Sequence, residues 1–219
     1  MAAPACPLCG TQCRMAPWHV ETRRPLAGRP HYRCGLCGTV FVPTAWHINA
    51  AAERAVYDLH ENDANDEGYA RFLSRALEPI LRLLPRGSAG LDFGCGPGPL
   101  LAQLLQAQGM QCQNYDLYYE HVPERLQNTY DFIVSTEVFE HLAQPQAVLQ
   151  QLCGCLRLGG LLVIMTQRPR DIAAYSKWQY ILDPTHITFY SEASFHYIAN
   201  HWPLKLEEMH NDVVVFRKI

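Results

Sequence analysis

A glycine-rich turn between a strand-like and a helix-like stretch constrains the fold of this chain more than any other feature. In the stretch LDFGCGPG, every second residue from Gly94 to Gly98 is glycine. Glycines let a backbone turn sharply and approach a ligand closely. A strand, a glycine turn and a helix in this order are typical of the ligand-binding edge of a parallel α/β sheet. The turn therefore predicts a nucleotide-type ligand at the carboxyl end of its strand.

The chain after this turn alternates between helix-like and strand-like segments. PLLAQLLQAQGM is typical of a helix, and QCQNYDL, YDFIVST and GGLLVIMTQ are typical of strands. The chain closes on the helix-like SEASFHYIANH and two strand-like stretches, LKLEEMH and DVVVFRK. This alternation predicts a mostly parallel α/β sheet with helices on both faces and an antiparallel hairpin at one edge.

The residues around the turn indicate which ligand it binds. The spacing is Gly-x-Gly-x-Gly, unlike the Gly-x-Gly-x-x-Gly of dinucleotide sites, and the turn has no lysine to grip a phosphate. Asp116 ends the next strand, where a carboxylate can bind both ribose hydroxyls. Asp92 could bind an ammonium group, directly or through water. We therefore expect a nucleoside with a charged amino-acid tail.

Four motifs resemble those of the class I S-adenosylmethionine-dependent methyltransferases. LDFGCGPG resembles their first motif, and YDFIVSTEVFEHL resembles the fourth-strand motif of the ubiquinone-type O-methyltransferase branch. LRLGGLLVIMT resembles the turn before the fifth strand, with Leu158 where a proline is usual. LDPTHITFYSEASF resembles the His-x-x-x-(Phe/Tyr)-Ser segment of the same group. The resemblance covers about residues 55–219 and implies a Rossmann-like fold with S-adenosylmethionine (SAM) as the cofactor.

The motifs and the resemblance together suggest which residues hold SAM. They lie in the glycine turn, at the ends of the second and fourth strands, and in the helical segment before the turn. The expected cofactor-binding residues are Asp92, Gly94, Cys95, Gly96, Pro97, Gly98, Asp116, Leu117, Thr136 and Tyr69.

One segment departs from the family pattern. Only 14 residues separate Asp116 from Asp131, where the family has a helix, a third strand and an acidic adenine clamp. We predict that the third strand is shortened or lost, which an edge strand tolerates. Tyr118 and Tyr119 could then stack on the adenine, or they could merely cover the sheet edge.

Methyl transfer needs the nucleophile, the methyl carbon and the sulfur held in line, with water excluded. A general base helps where the acceptor is a hydroxyl. The candidate catalytic residues are His186 in DPTHITFY and His141 in EVFEHL, with Glu137 at the end of the fourth strand. The alternatives are structural: a loop hydrogen bond for His186, and packing or helix capping for His141.

Two Cys-x-x-Cys-Gly sequences lie near the N-terminus. CPLCG and CGLCG have the form of knuckles that aim paired thiolates at one ion. Four thiolates favour zinc, which would supply the folding energy that a segment this short lacks. A redox dithiol is the weaker alternative. The predicted ligands of a structural Zn²⁺ are Cys6, Cys9, Cys34 and Cys37.

The length of 219 residues suits one ordinary domain and a small appendage. We predict a zinc-ribbon-like module at residues 1–44 and a methyltransferase domain at 45–219, of which 45–88 form a helical cover. The longest apolar runs fall short of the roughly 20 residues that span a bilayer. MAAPACPLCG does not resemble a signal peptide. We expect a cytoplasmic protein.

Charge is unevenly distributed along the chain. The net charge is −3, yet the first 44 residues carry five arginines against Glu21 alone. A basic module could meet an anionic partner, or its arginines could simply keep a small module soluble. The acidic remainder argues against a nucleic-acid substrate, although the basic module leaves that option open.

The sequence thus predicts SAM-dependent methyl transfer to a small-molecule acceptor, at oxygen by resemblance. An RNA or protein methyltransferase recruited through the module is the alternative, although STEV, and no Asn-Pro-Pro-Tyr-like tetrapeptide, follows the fourth strand. A non-catalytic scaffold is disfavoured by the intact glycine turn. The module could present Trp18 and the Arg23–Arg24 pair to the acceptor, or only cover helices in residues 45–84.

Overall fold

The computed structural model describes residues 3–59, 66–169 and 171–219 of the chain. The strands in these residues are β1 (His19–Val20), β2 (Pro30–Arg33), β3 (Val40–Phe41), β4 (Ala89–Phe93), β5 (Gln111–Tyr115), β6 (Tyr130–Thr136), β7 (Leu156–Met165), β8 (Thr188–Phe189), β9 (Leu204–His210) and β10 (Val213–Lys218). The α-helices are α1 (Ala50–Tyr57), α2 (Glu67–Leu83), α3 (Leu100–Ala107), α4 (Pro145–Cys155), α5 (Ile172–Lys177) and α6 (Glu192–His201).

A six-stranded sheet forms the centre of the molecule, in the order β5-β4-β6-β7-β10-β9. Strands β5, β4, β6 and β7 are parallel, whereas β10 is antiparallel to both β7 and β9. The predicted mostly parallel sheet with an antiparallel hairpin at one edge is confirmed. The β9–β10 turn includes Asn211, whose φ of 46° lies in the left-handed region that asparagine tolerates.

No third parallel strand forms in the described residues between β5 and β6, as the short segment after Asp116 predicts. Within the described residues between β5 and β6, the regular element is a 3₁₀ helix, Pro123–Gln127. It is held by the guanidinium of Arg125, which donates to the Asn114 carbonyl (2.5 Å) and to Glu120 (2.8 Å). Strand β5 is therefore the edge of the sheet.

Side chains of the central strands alternate between two apolar layers, as the pleat requires. Phe132 and Val134 of β6 lie in the layer with α2 and α3, and Ile133 between them lies in the layer with α4 and α6. Both faces of the central sheet are buried, which explains why the sequences of β6 and β7 are almost continuously apolar. None of the helices in the described ranges is long and apolar enough to cross a membrane.

The N-terminal residues form a second, small sheet in the order β1-β2-β3-β8. Strand β8 follows the loop at residues 183–187, so the sheet is completed by a strand from the main body. Val40 and Phe41 pair with Phe189 and Thr188 in antiparallel register. The apolar residues of the module also continue into the core around Tyr190 and Phe195. The N-terminal module is thus joined to the body through β8.

Candidate active site

A cleft of about 800 Å³ lies beyond the carboxyl ends of β4, β5 and β6, where open parallel sheets bind ligands. One side is lined by residues 94–97 and 115–119, and we name it the glycine-turn half. The other side is lined by Glu137, His141 and residues 183–187, and we name it the histidine half. Helix α1 contributes to the wall of the same cleft.

The glycine turn is tied to the end of β5. The N–H groups of Gly94 and Cys95 both donate to the Tyr115 carbonyl, at 2.7 and 3.3 Å. Gly94 has φ of 83°, and a Cβ there would lie 2.3 Å from Cγ2 of Val138. Both the backbone angle and the close packing therefore require glycine at this position.

The Asp116 carboxylate is oriented by three backbone N–H groups. Gly96 donates to Oδ2 at 3.0 Å, and Tyr118 and Tyr119 donate to Oδ1 at 2.8 and 3.1 Å. A carboxylate has about four acceptor sites. In this arrangement Asp116 has room for about one ligand hydroxyl without losing a backbone partner.

Asp92 lies beneath the turn and is only 2% exposed. Its Oδ1 has no hydrogen-bond partner among the described residues. Burial, together with the nearby charge of Asp116, raises the pKa of Asp92 to about 7. A positive charge placed nearby would stabilise its ionised form and lower that pKa.

Helix α1 is fastened across the cleft by tyrosines. The Glu53 carboxylate accepts from the hydroxyls of Tyr118 (2.7 Å) and Tyr57 (2.8 Å). Tyr119 donates to Asp58 at 2.6 Å, just beyond the end of the helix. The ring of Tyr57 in turn meets His141 edge-on, with centroids 5.1 Å apart. Helix α1 thus connects the two halves of the cleft.

Glu137 is held in a strained position at the end of β6. Its φ is 52°, which is uncommon for a residue other than glycine and is typical of functional sites. Its Oε2 lies 3.1 Å from the Tyr180 hydroxyl oxygen, and its Oε1 has no partner among the described residues. Burial and the neighbouring Glu140 raise the pKa of Glu137 to about 9. At neutral pH this carboxyl therefore carries a proton that it can donate in a hydrogen bond.

Glu140 lies fully buried behind the histidine half. Its two carboxylate oxygens accept from the hydroxyls of Tyr180 (2.5 Å) and Thr166 (2.8 Å). Its backbone carbonyl accepts from the N–H of Ile187 at 2.8 Å. This residue therefore connects the end of β6 to the loop at 183–187.

His141 and His186 form a pair in the cleft, with ring centroids 4.7 Å apart. Nδ1 of His141 lies 3.2 Å from the Thr185 carbonyl, and Nδ1 of His186 lies 2.7 Å from the Tyr180 carbonyl. Because a carbonyl only accepts, the Nδ1 of each ring carries a hydrogen. Burial lowers the pKa of His186. Its ring is therefore neutral near pH 7 and able to accept a proton.

The cleft brings together most of the residues singled out from the sequence. Those on its wall are Tyr69, Gly94, Cys95, Gly96, Pro97, Asp116, Leu117, Thr136, Glu137, His141 and His186. Asp92 and Gly98 are not on the wall. The Gly98 carbonyl accepts from the N–H of Leu100 at the start of α3.

Comparison with known proteins identifies the family. A family model described as a methyltransferase domain matches residues 63–207, more than half of the chain. The chain belongs to the class I SAM-dependent methyltransferases. The sequence matched no curated protein.

Solved methyltransferase structures share this fold at low sequence identity. A protein from Bacillus halodurans described as a methyltransferase has a TM-score of 0.52 and 19% identity, over 63% of this chain and 68% of its own. A SAM-dependent methyltransferase from Archaeoglobus fulgidus has a TM-score of 0.52 and 17% identity, over 68% of this chain and 94% of its own. The mitomycin 7-O-methyltransferase has a TM-score of 0.50 and 14% identity, over 71% of this chain and 59% of its own. These likenesses show the fold, and they leave the acceptor of this methyltransferase open.

Three residues that shape the site of the methyltransferase, Glu53, Tyr57 and Glu140, were not predicted from the sequence. A signal exists for each of them. Glu53 and Tyr57 are four residues apart, which brings them to one face of a helix. Glu140 stands directly before His141 in the EVFEH motif, where an acidic residue is unexpected in a buried element.

Four cysteines of the methyltransferase converge near its N-terminus. The thiol groups of Cys6, Cys9, Cys34 and Cys37 all lie within 4.8 Å of one another. The two knuckles have the same backbone form, because Gly10 and Gly38 both have φ of 74° and donate to the carbonyls of Cys6 and Cys34. Zinc–sulfur bonds of about 2.3 Å place tetrahedral sulfurs about 3.8 Å apart. The shortest sulfur pairs here, at 3.4 and 3.5 Å, are close to that spacing, so the cluster fits a tetrahedral zinc ion.

Trp18 and Arg23 of the N-terminal module contact the methyltransferase body away from the cleft wall. Trp18 packs edge-on against Tyr175 of α5, with centroids 5.0 Å apart. Arg23 pairs with Glu21 at 2.7 Å and donates to the Trp178 carbonyl. Neither Trp18 nor Arg23 lines the cleft, so the idea that they form an edge for the acceptor is wrong. Both are occupied at the interface with α5, where the module packs against the body.

Proposed function

We propose that this enzyme transfers the methyl group of SAM to a hydroxyl of a small-molecule acceptor. The observation that carries the proposal is the His141–His186 pair, which presents two imidazoles to the cleft beside the carboxyl ends of the strands, with that of His186 held neutral by burial. A hydroxyl must lose a proton as its oxygen is methylated, and a neutral imidazole within reach can accept it. The EVFEH motif, which resembles the ubiquinone-type O-methyltransferase branch, supports the same choice.

The glycine-turn half has the chemistry to hold SAM. Asp116 is oriented to accept a ribose hydroxyl, and the buried carboxyl of Asp92 lies where a positive amino-acid tail would stabilise its charge. The remaining proposed contacts come from the wall of the turn and from Tyr69, Leu117 and Thr136. Bound SAM supplies a methyl group activated by a positively charged sulfur. The cleft residues then orient the acceptor and exclude water.

We assign different roles to the three candidate catalytic residues. His186 or His141 takes the hydroxyl proton at its Nε2. Glu137 carries a proton near neutral pH, so it orients a polar group of the acceptor or of the methionine tail as a hydrogen-bond donor. The Nδ1 contacts to backbone carbonyls keep both imidazoles in the required tautomer.

A second candidate function of the histidine half is the binding of a divalent cation, which the spacing of its side chains supports. Ligand atoms of Glu140, His141 and His186 lie within 4.8 Å of one another, close enough to hold one divalent cation. A cation at this point would bind the acceptor oxygen and lower its pKa. Turnover measured after EDTA treatment, and again after Mg²⁺ or Mn²⁺ is added back, distinguishes this arrangement from catalysis by imidazole alone.

We further propose that Cys6, Cys9, Cys34 and Cys37 bind a structural Zn²⁺ that stabilises the N-terminal module. Two of the five arginines of the module are occupied within the protein, because Arg23 is paired with Glu21 and Arg29 is 1% exposed. Arg14, Arg24 and Arg33 are exposed. The two occupied arginines leave less positive charge for an RNA recruited through the module, which supports a small-molecule acceptor.

The proposed function is tested by screening the purified protein with labelled SAM against quinols, catechols, short peptides and total RNA. We expect label in a hydroxyl-bearing small molecule, with turnover lowered by roughly 10²- to 10⁴-fold in His186→Gln or His141→Gln. His201→Gln is the matched control, because His201 is an exposed histidine on α6. Label in RNA or peptide alone, or full turnover in both active-site variants, would contradict the proposal.

A further inference from the structure

A buried arginine from the N-terminal module grips the loop that carries His186. Arg29 is 1% exposed. Its Nη1 donates to the Asp183 carbonyl at 3.0 Å, and its Nη2 donates to the carbonyls of Pro184 (3.3 Å) and His186 (2.6 Å). Three carbonyl oxygens from one loop thus converge on a single guanidinium.

Three converging carbonyl oxygens need a positively charged group with several N–H donors between them. Buried carbonyl oxygens pointing at one another leave their dipoles opposed and unpaired unless a donor lies between them. Guanidinium offers several N–H groups in a fixed plane, so one side chain can satisfy all three oxygens. Among the described residues, the side-chain hydrogen bonds of Arg29 all go to this loop, and its buried Nε has no partner.

The loop that Arg29 grips determines the orientation of both histidines. The backbone carbonyl of His186 is itself one of the three acceptors. The adjacent Thr185 carbonyl accepts from Nδ1 of His141. A displaced loop would therefore move the His186 ring and also remove the partner that fixes the tautomer of His141.

A second contact from the module acts on the same loop. The N–H of Val42 donates to the Ile187 carbonyl at 2.8 Å, and the N–H of Ile187 donates to the Glu140 carbonyl. The loop is thus held between the module on one side and the end of β6 on the other. Arg29 secures its first half, and the β3–β8 pairing secures its second half.

We propose that Arg29 is a positioning residue through which the N-terminal module holds the 183–187 loop, and with it His141 and His186, in the geometry that methyl transfer requires. The catalytic part of this inference rests on the function proposed above. The structural part, that Arg29 fixes the loop and the imidazole tautomers, does not depend on which acceptor is methylated. The module thereby acts on the acceptor chemistry from outside the cleft.

The test uses full-length Arg29→Met and Arg29→Lys, with Arg33→Met as the control. Arg33 belongs to the same module but is exposed and lies over the Trp18 ring, with 5.7 Å to its centroid. Three properties are measured in each protein. They are binding of S-adenosylhomocysteine, hydrogen exchange by mass spectrometry, and the ¹⁵N chemical shifts of the histidine rings, assigned with His141→Gln and His186→Gln.

In Arg29→Met we expect exchange in residues 183–190 to accelerate by roughly tenfold or more while peptides from β4 and β6 stay protected. The rings of His141 and His186 should lose their single Nδ1-protonated tautomer. Cofactor-product affinity should stay within about threefold, because the glycine turn has no contact with Arg29. Arg29→Lys keeps the charge but loses the fork, so its loop protection should be intermediate. Arg33→Met should match the wild type.

Unchanged loop exchange and unchanged ring spectra in folded Arg29→Met would overturn the inference. Uniformly faster exchange across the whole chain would also overturn it, because Arg29 would then support only general stability. Should Arg29→Met fail to fold, Arg29→Lys decides, and wild-type loop protection in that variant counts against a role for the fork. Once an acceptor is known, we also expect a lower kcat in Arg29→Met, with little change in the KM for SAM. Failure of the acceptor screen would bear on the proposed function and leave the exchange and spectral tests intact.

Discussion

The two halves of the cleft are built in different ways. The glycine-turn half comes from residues close together in the chain: one turn after β4 and one short segment after β5, joined by the contacts of Gly94 and Gly96. The histidine half is assembled from the end of β6, the loop at 183–187 and, through Arg29 and Val42, the N-terminal module. The half proposed to bind SAM is therefore built locally, whereas the half proposed to meet the acceptor depends on long-range packing.

Loss of the proposed zinc ion should separate the two halves of the cleft most strongly. Structural zinc contributes about 10–16 kcal/mol of apparent binding energy to small zinc modules, so Cys34→Ser should unfold residues 1–44. We expect acceptor turnover to disappear, while binding of S-adenosylhomocysteine stays within roughly threefold of the wild type. Metal analysis should show one zinc per chain in the wild type and less in the variant.

Cys13→Ser is the matched control for this experiment. Cys13 lies outside the group of four, and its thiol makes a weak contact with the Thr11 carbonyl at 3.8 Å and lies near Cys34. It should keep full metal content. Equal loss of cofactor binding and turnover in Cys34→Ser would show that the two halves do not form independently.

A substitution in the glycine-turn half, Asp116→Ala, tests the same division from the cofactor side. Asp116→Ala removes an acceptor for a ligand hydroxyl and also releases the N–H groups of Gly96 and Tyr118. A hydrogen bond to a charged group contributes about 1.5–3 kcal/mol. The affinity for S-adenosylhomocysteine should fall by roughly 10- to 150-fold, as measured by calorimetry. Hydrogen exchange in residues 183–190 should stay unchanged. Unchanged affinity would mean that the ribose binds elsewhere.

The same division explains how much the sequence could predict. Strand alternation and the LDFGCGPG turn depend on local patterns, so the sheet, its edge hairpin and the missing third strand follow from the sequence alone. The burial of Arg29 carries no local signal, because five arginines in a short segment look alike until the partner carbonyls of residues 183–186 are in place. The role suggested for Trp18 was wrong for a similar reason. An aromatic residue in a small module is as well suited to pack against Tyr175 as against a ligand.

Low pH should reduce the stability of the folded protein, because the N-terminal module buries a neutral histidine. His31 is fully buried, and its Nδ1 lies 2.6 Å from the Tyr175 hydroxyl. Burial, with the nearby charge of Arg29, lowers the pKa of His31 from 6.5 to about 3. Below pH 6.5 the unfolded chain therefore binds a proton that the folded chain excludes, so stability falls as the pH falls. At pH 5 the loss attributable to His31 is about 2 kcal/mol.

The measurement for His31 is the free energy of unfolding in urea at pH 7.5 and pH 5. The wild type should lose about 2 kcal/mol more between these values than His31→Gln does. His196→Gln serves as the control, because His196 is an exposed residue of α6. An equal pH dependence in the wild type and His31→Gln would mean that His31 is protonated in the folded protein and contributes no acid sensitivity.

The smallest expected effect concerns helix α1, the element that touches both halves. Tyr118→Phe removes the hydroxyl that holds Glu53, and Glu53 in turn accepts from Tyr57, whose ring meets His141. A hydrogen bond to a charged group contributes about 1.5–3 kcal/mol when buried, and screening by water at this half-buried position reduces the contribution to about 1 kcal/mol. We expect roughly fivefold weaker binding of S-adenosylhomocysteine and a shift of similar size in the KM of the acceptor, because one helix serves both sites.

Tyr119→Phe is the control. Its hydroxyl binds Asp58 beyond the end of the helix, so loosening there should leave the Glu53–Tyr57 contact intact. An effect of Tyr118→Phe on cofactor binding alone would show that α1 belongs to the glycine-turn half and that the halves meet only through the sheet.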